Sequence, residues 1–156
     1  MTRADLVEFL RQHRLAVQSS VSQGGSPQAA VVGIVVSDEL EIVFDTLAGS
    51  RKATNLRRDA RVALVVGWSF DDARTAQIEG VADEPRGVEL ERIKALYFEG
   101  FPDGIERART AEIAYFRVRP TWARLSDFRS EPPVIDELDV DTPCPSPAGN
   151  GVFSIP

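Results

Sequence analysis

A chain of 156 residues, 43% hydrophobic and 27% charged, has the size and composition of one globular domain that buries a core without staples. Its net charge of −6 argues against a dedicated nucleic-acid binder, whose phosphate contacts need a basic face. The single cysteine, Cys144, and single histidine, His13, exclude an internal disulfide and a Cys/His metal centre, and a histidine-based triad would have to use a residue far from any obvious nucleophile.

In chain order, residues 2–14 predict a helix. Thr2 is its cap, Asp5 completes a capping box, and Leu6, Phe9 and Leu10 share one face. Residues 15–22 read as a strand, and Gly-Gly-Ser-Pro within 23–28 as a turn. Residues 29–36 are almost continuously apolar and β-branched, which predicts a strand buried on both faces. A turn at 37–39 leads to a strand at 41–45, forming a hairpin. Residues 46–50 are a loop, and Ser50 can cap a short helix over 51–58.

Strands are predicted at 61–67 and 75–83, with a polar turn at 69–74 between them. Pro85 is placed to open a helix whose apolar positions are Val88, Ile93, Leu96 and Tyr97. A loop at 98–104, a strand at 113–118, Pro120 and a short piece at 122–125 follow. Trp68, Phe70, Tyr97 and Phe98 read as packing residues, and the acidic pairs Asp71-Asp72 and Asp136-Glu137 as solvated groups without metal-site spacing. About six strands and three helices predict a mainly β fold with flanking helices (α+β), built as a small barrel. The domain is expected over 1–126. From 127 to 156 the chain holds six of the ten prolines and is expected to be extended or partly disordered. No apolar run approaches the roughly 20 residues that span a bilayer, and the first residues, Thr2, Arg3 and Asp5, have no signal-like core. A cytoplasmic protein with no membrane partner is expected.

The segment with most chemistry is 42–56. A strand delivers the chain to a loop, and the loop opens a helix at Ser50. The first amides of a helix lack internal partners and carry partial positive charge. Arg51 and Lys52 stand in that first turn, where the dipole disfavours cations unless an anion is also present. Thr46 and Ser50 add hydroxyls. Arg51, Lys52, Arg57, Arg58 and Arg61 fall within eleven residues. Local physics leaves two readings open here, solvated surface charge or an anion grip.

Several stretches resemble, in order and spacing, the pyridoxamine 5′-phosphate oxidase-related FMN-binding split-barrel family. They are Thr46, Ser50-Arg51-Lys52 and Asn55-Leu56 followed by a strand at 61–65, then 77–82, 27–34, and 116–120 with Trp122. The resemblance covers about residues 5–126 and implies a split β-barrel, a homodimer with flavin at the interface, and bound FMN. By that likeness Ser50, Arg51 and Lys52 take the FMN phosphate, and Asp45 and Thr46 lie beside the ribityl chain or ring. The main chain of Val31, Val32 and Gly33 lines the isoalloxazine. Gln77 reaches the ring or ribityl from the other subunit, and Trp122 lies where the family closes its cofactor site.

The implied activity is hydride transfer on a small substrate, with no catalytic side chain identified. True pyridoxamine phosphate oxidases resemble one another in a Trp-Gln-Gly and Arg-rich C-terminal segment. After Trp122 this chain reads Ala-Arg-Leu-Ser-Asp-Phe-Arg-Ser-Glu-Pro-Pro, so that substrate is not expected. Related alternatives are the deazaflavin F420, whose polyanionic tail would use Arg57, Arg58 and Arg61, or haem, or a non-enzymatic flavin-binding stress protein.

Overall fold

The computed structural model describes residues 1–67, 69 and 71–140. Helix α1 (Arg3–Arg11) opens on the predicted capping box: the Thr2 amide donates to Asp5 Oδ2 at 2.7 Å, and the Asp5 amide donates to Thr2 Oγ1. The chain continues through β1 (Leu15–Val21), β2 (Pro27–Gly33), β3 (Val35–Val36), β4 (Ile42–Leu47), α2 (Arg51–Arg58), β5 (Arg61–Val66) and β6 (Arg74–Asp83). Then come α3 (Gly87–Gly100), α4 (Gly104–Thr110), β7 (Ile113–Asp127) and β8 (Val134–Asp139).

The strands form one antiparallel sheet in the order β2-β1-β5-β6-β7-β4-β3. Its two ends, β2 and β3, are consecutive segments of one bent stretch separated only by Ile34, so the sheet curls round on itself. The long strand β7 makes this possible. Its first half pairs with β4 and its second half with β8, while β6 runs along its other edge. Pro120 lies inside β7 at a bulge, where Glu79 faces Trp122 and Gly80 faces Pro120. Such irregularities are where a strand tolerates proline. A Cβ on Gly80 would come within 2.6 Å of the Arg119 carbonyl, so only glycine fits the close approach.

Inside the curl, Ile42, Phe44, Leu64, Val66, Ile78, Phe116 and Val118 meet Leu6, Phe9 and Leu10 of α1 in one core. Phe44 and Phe116 are cross-strand partners and stack at 5.6 Å. A second cluster joins Ile93 and Tyr97 of α3 to Val43 and Tyr115 on the opposite face of β4 and β7.

Several expectations are corrected. Residues 29–36 are not one strand buried on both faces: the stretch breaks into β2 and β3, and Val31 is 60% exposed. β2 is an end strand of the sheet, and at Val31 its outer face is left open by the described residues. Its apolar composition therefore reported an uncovered face as well as a core. Thr46 lies within β4 rather than in a loop. Pro85 precedes the helix start, because the chain stays extended to Arg86 and turns at Gly87 with φ +59°. Val88 is exposed, so the buried face of α3 is carried by Ile93 and Tyr97. The predicted loop at 98–104 is shorter, since α3 runs to Gly100. Helix α4 and strand β8 had no clear signal in a polar stretch and a proline-rich one. Tyr97 is buried as predicted, whereas Trp68, Phe70 and the stretch 141–156 lie outside the described residues. No described helix is long and apolar enough to cross a membrane.

Candidate functional site

Strand alternation sorts the end of β4. Thr46 turns inward and is 9% exposed, while its neighbour Asp45 turns to the opposite face. Two residues, Ala48 and Gly49, then bring Ser50 to the start of α2, where its Oγ accepts the Ala53 amide at 3.2 Å. Thr46 Oγ1 and Ser50 Oγ lie 3.0 Å apart, and Lys52 Nζ donates to Thr46 Oγ1 at 3.3 Å. Thr46, Ser50 and Lys52 therefore form one hydrogen-bonded group. Arg51 stands beside it in the first turn of the helix.

The five cations of this stretch separate into two kinds. Arg57 binds Glu84 with both arms, at 2.7 and 2.9 Å, and Arg61 binds Asp59 in the same way at 3.0 and 2.7 Å. Arg58 donates to the Val21 carbonyl. Arg51 and Lys52 have no carboxylate partner among the described residues, and the first turn of α2 holds no acidic residue. Two uncompensated cations thus face the partial positive charge of a helix start, an arrangement an anion would stabilise.

The floor of the site comes from β1 and β2. A cavity of about 230 Å³ is lined by Gln18, Ser20, Gln28, Ala30, Arg51 and Lys52. Gln18 faces Ala30 and Ser20 faces Gln28 across the β1–β2 ladder. Asn55, on the inner side of α2, joins the helix to this floor: its Nδ2 donates to Ser20 Oγ at 3.1 Å and to Gln28 Oε1 at 2.9 Å. Sequence reasoning gave Gln18, Ser20 and Gln28 no role, and quoted Asn55 only as part of a pattern. The available signal was the polarity of Gln18 and Ser20 at the inward positions of a strand that otherwise buries apolar residues.

The other predicted residues lie elsewhere. Val32 is buried in the core, while Val31 points from the outer face of β2. Gly33 lies under Phe101, whose Cζ would be 2.7 Å from a Cβ there. The Asp45 carboxylate is turned away from Thr46 and accepts hydrogen bonds from Tyr97 Oη and Arg107 Nη2, each at 2.8 Å. Burial, then the bond to Asp45, pushes the Tyr97 phenol above its ordinary range. Gln77 lies across from Val65 and Arg124, and Trp122 across from Glu79. Gln77 and Trp122 therefore share the outer face of the sheet. That face also carries Val31, Val17 and Val65 in register. Gln77 is three strand spacings from Val31, about 14 Å. The fold thus brings Thr46, Ser50, Arg51 and Lys52 together, and leaves Gln77 and Trp122 apart from them.

A family description named pyridoxamine 5′-phosphate oxidase matches residues 2–127. No curated protein matches the chain. Among solved structures, a conserved hypothetical protein of Mycobacterium tuberculosis is similar at 27% identity and a TM-score of 0.69, covering 83% of this chain and 86% of that one. A heme-binding protein of Mycobacterium smegmatis aligns at 16% identity and a TM-score of 0.72, over 89% of this chain and 60% of its own. A pyridoxamine 5′-phosphate oxidase-related, FMN-binding protein of Nostoc punctiforme aligns at 10% identity and a TM-score of 0.67, over 90% of this chain and 97% of that one.

Proposed function

Since the chain belongs to the pyridoxamine 5′-phosphate oxidase family and has its split-barrel fold, we propose that it binds FMN and uses it as an oxidoreductase on a small organic substrate. The observation that carries this reading is the pair Arg51 and Lys52, cations without a carboxylate partner among the described residues, at a helix start beside two hydroxyls. Arg51 would take phosphate oxygens in a planar fork and Lys52 would act as a point charge. Ser50 and Thr46 would donate to the phosphate or to the ribityl chain. The flavin ring would run along the main chain of Val31 to Gly33. Bound FMN would supply the two-electron chemistry, and the chain's residues hold and orient it.

Gln77 and Trp122 are assigned to the second cofactor site of a homodimer. Within one chain they lie on the outer face of the sheet, in line with Val17, Val31 and Val65. A second copy packed on that face would cover the apolar row and bring both residues toward its partner's flavin. For Asp45 the contribution is its main chain, because its carboxylate is held by Tyr97 and Arg107.

Pyridoxamine phosphate is not the proposed substrate. The cations that follow Trp122 are engaged locally, Arg124 near Glu137 at 3.9 Å and Arg129 with Asp127 at 2.5 Å. The same logic favours FMN over F420, whose longer anionic tail needs a basic groove, since Arg57 and Arg61 are bound to carboxylates and Arg58 to a carbonyl. Haem is the second reading, carried by the M. smegmatis neighbour. Against it, the one histidine, His13, packs on Phe9 with its Nε2 buried, and it is not among the residues lining the cavity of the cation pair. The visible absorption spectrum of the purified protein, before and after addition of each cofactor, separates these outcomes. The reading predicts the two-band spectrum of an oxidised flavin. A Soret band, or a protein that stays colourless with added FMN, overturns it.

A further inference from the structure

Gln18 is 1% exposed, and its amide nitrogen has no hydrogen-bond partner among the described residues. A buried donor left unpaired is costly, so such a group marks either a loss of stability or a missing ligand. Gln18 lines the same cavity as Arg51 and Lys52, on the β1–β2 side.

The neighbours of Gln18 extend the pattern. Ser20 Oγ accepts from Asn55, so its own proton is free to point elsewhere. Gln28 Oε1 also accepts from Asn55, which commits the acceptor arm of that amide and leaves the donor arm unbound among the described residues. Asn55 therefore fixes both floor residues by their acceptors and leaves their donors unspent. The cavity then has a cationic wall from α2 and a neutral wall of donors from β1 and β2. A lining made of donors suits a ligand made of acceptors, and a dianionic terminal phosphate, with three such oxygens, meets that description.

We propose that Gln18, together with Ser20 and Gln28 as oriented by Asn55, is a second, neutral set of phosphate ligands facing Arg51 and Lys52. It recognises the terminal phosphate of the cofactor. This rests on the phosphate reading of the pocket and adds three contacts to it. The neutral wall also gives specificity: it rewards the phosphorylated ligand while adding no charge that would attract other anions unselectively.

The test is Gln18→Met, which keeps the side-chain volume and removes both donors. Binding of FMN and riboflavin is titrated by fluorescence, and melting temperature is measured with and without inorganic phosphate. FMN affinity should fall by roughly ten- to a hundredfold and riboflavin affinity should not change. The ligand-free variant should melt higher than wild type, because the unpaired donor is gone. Inorganic phosphate should stabilise wild type more than the variant. Should Gln18→Met fail to fold, Ser20→Ala removes one donor, and a several-fold loss confined to FMN is expected. Equal FMN affinity in variant and wild type overturns the inference and leaves the FMN reading standing, as does a loss shared by FMN and riboflavin. If wild type binds no FMN, the FMN reading fails, and the phosphate arm alone decides: equal stabilisation of variant and wild type overturns the inference.

Discussion

Arg51 and Lys52 differ from their basic neighbours in what surrounds them. Arg57 and Arg61 are bound by carboxylates, whereas Lys52 donates to Thr46 Oγ1 and neither it nor Arg51 has a carboxylate partner among the described residues. If the ligand's phosphate is what they await, its own titration controls binding. The dianion of a phosphate monoester takes up a proton near pH 6, and the monoanion it becomes is held less tightly by a pair of cations. FMN affinity is therefore predicted to drop several-fold between about pH 7.5 and pH 5, while riboflavin affinity stays flat. A parallel fall for both ligands in fluorescence titrations would place the titrating group on the protein. The Ser-Arg-Lys step and the capping Ser50 were legible because local rules decide them. The floor made by Gln18, Ser20 and Gln28 was not, since it depends on a strand register and on Asn55 reaching back 27 and 35 residues.

At the scale of elements, the sheet's shape depends on how β4, β6 and α3 are tied to β7. Arg117 is central to this. Its side chain is 8% exposed and binds Asp83 with two arms, at 3.0 and 2.8 Å, and also Glu41 and Glu89. Arg117→Met removes that cation from three partly exposed carboxylates, which keep Arg92 (Glu41 and Glu89) and Arg119 (Asp83) as partners. A destabilisation of about 1.5–3 kcal/mol is expected from the denaturant midpoint. A loss below about 0.5 kcal/mol would show that these bonds only replace hydration. Two exposed pairs, at the start of β5 and the end of β7, give a pH dependence. Hydrogen bonds from Arg61 and from Arg129 hold the Asp59 and Asp127 carboxyls down at about 2. A carboxylate held low in the folded state contributes fully above its unfolded value near 3.9 and loses that contribution as pH falls toward 2. The stability gap between wild type and Asp59→Asn should thus be constant above about pH 5 and close by about pH 2. A gap unchanged at low pH would contradict the pairing.

Strong local signals located α1, α2 and most strands, with the capping box at Thr2 and the turn at 37–39 as the clearest. The continuous strand through Pro120 was not legible, because a bulge opposite Gly80 admits the proline. The double burial assigned to 29–36 misread apolar composition as core.

At the scale of the molecule, an uncovered apolar row runs across β2, β1 and β5. Val31 is 60% exposed and Val65 38%, in register through Val17. On the homodimer reading this row is the interface. Val65→Lys, at the β5 end of the row, is predicted to shift the sedimenting mass from twice 17.1 kDa to 17.1 kDa and to weaken flavin binding, with little change in the fold's circular dichroism. A wild type that sediments as a monomer with flavin bound would remove Gln77 and Trp122 from the site.

Whether the start of α2 holds the phosphate of a flavin is decided by comparing FMN and riboflavin binding to wild type and to Arg51→Ala/Lys52→Ala. Two charge-assisted contacts are at stake, so FMN affinity should fall by at least a hundredfold, while riboflavin, which has no phosphate, binds both proteins alike. Equal weakening of both ligands, or none of either, would contradict a phosphate site there.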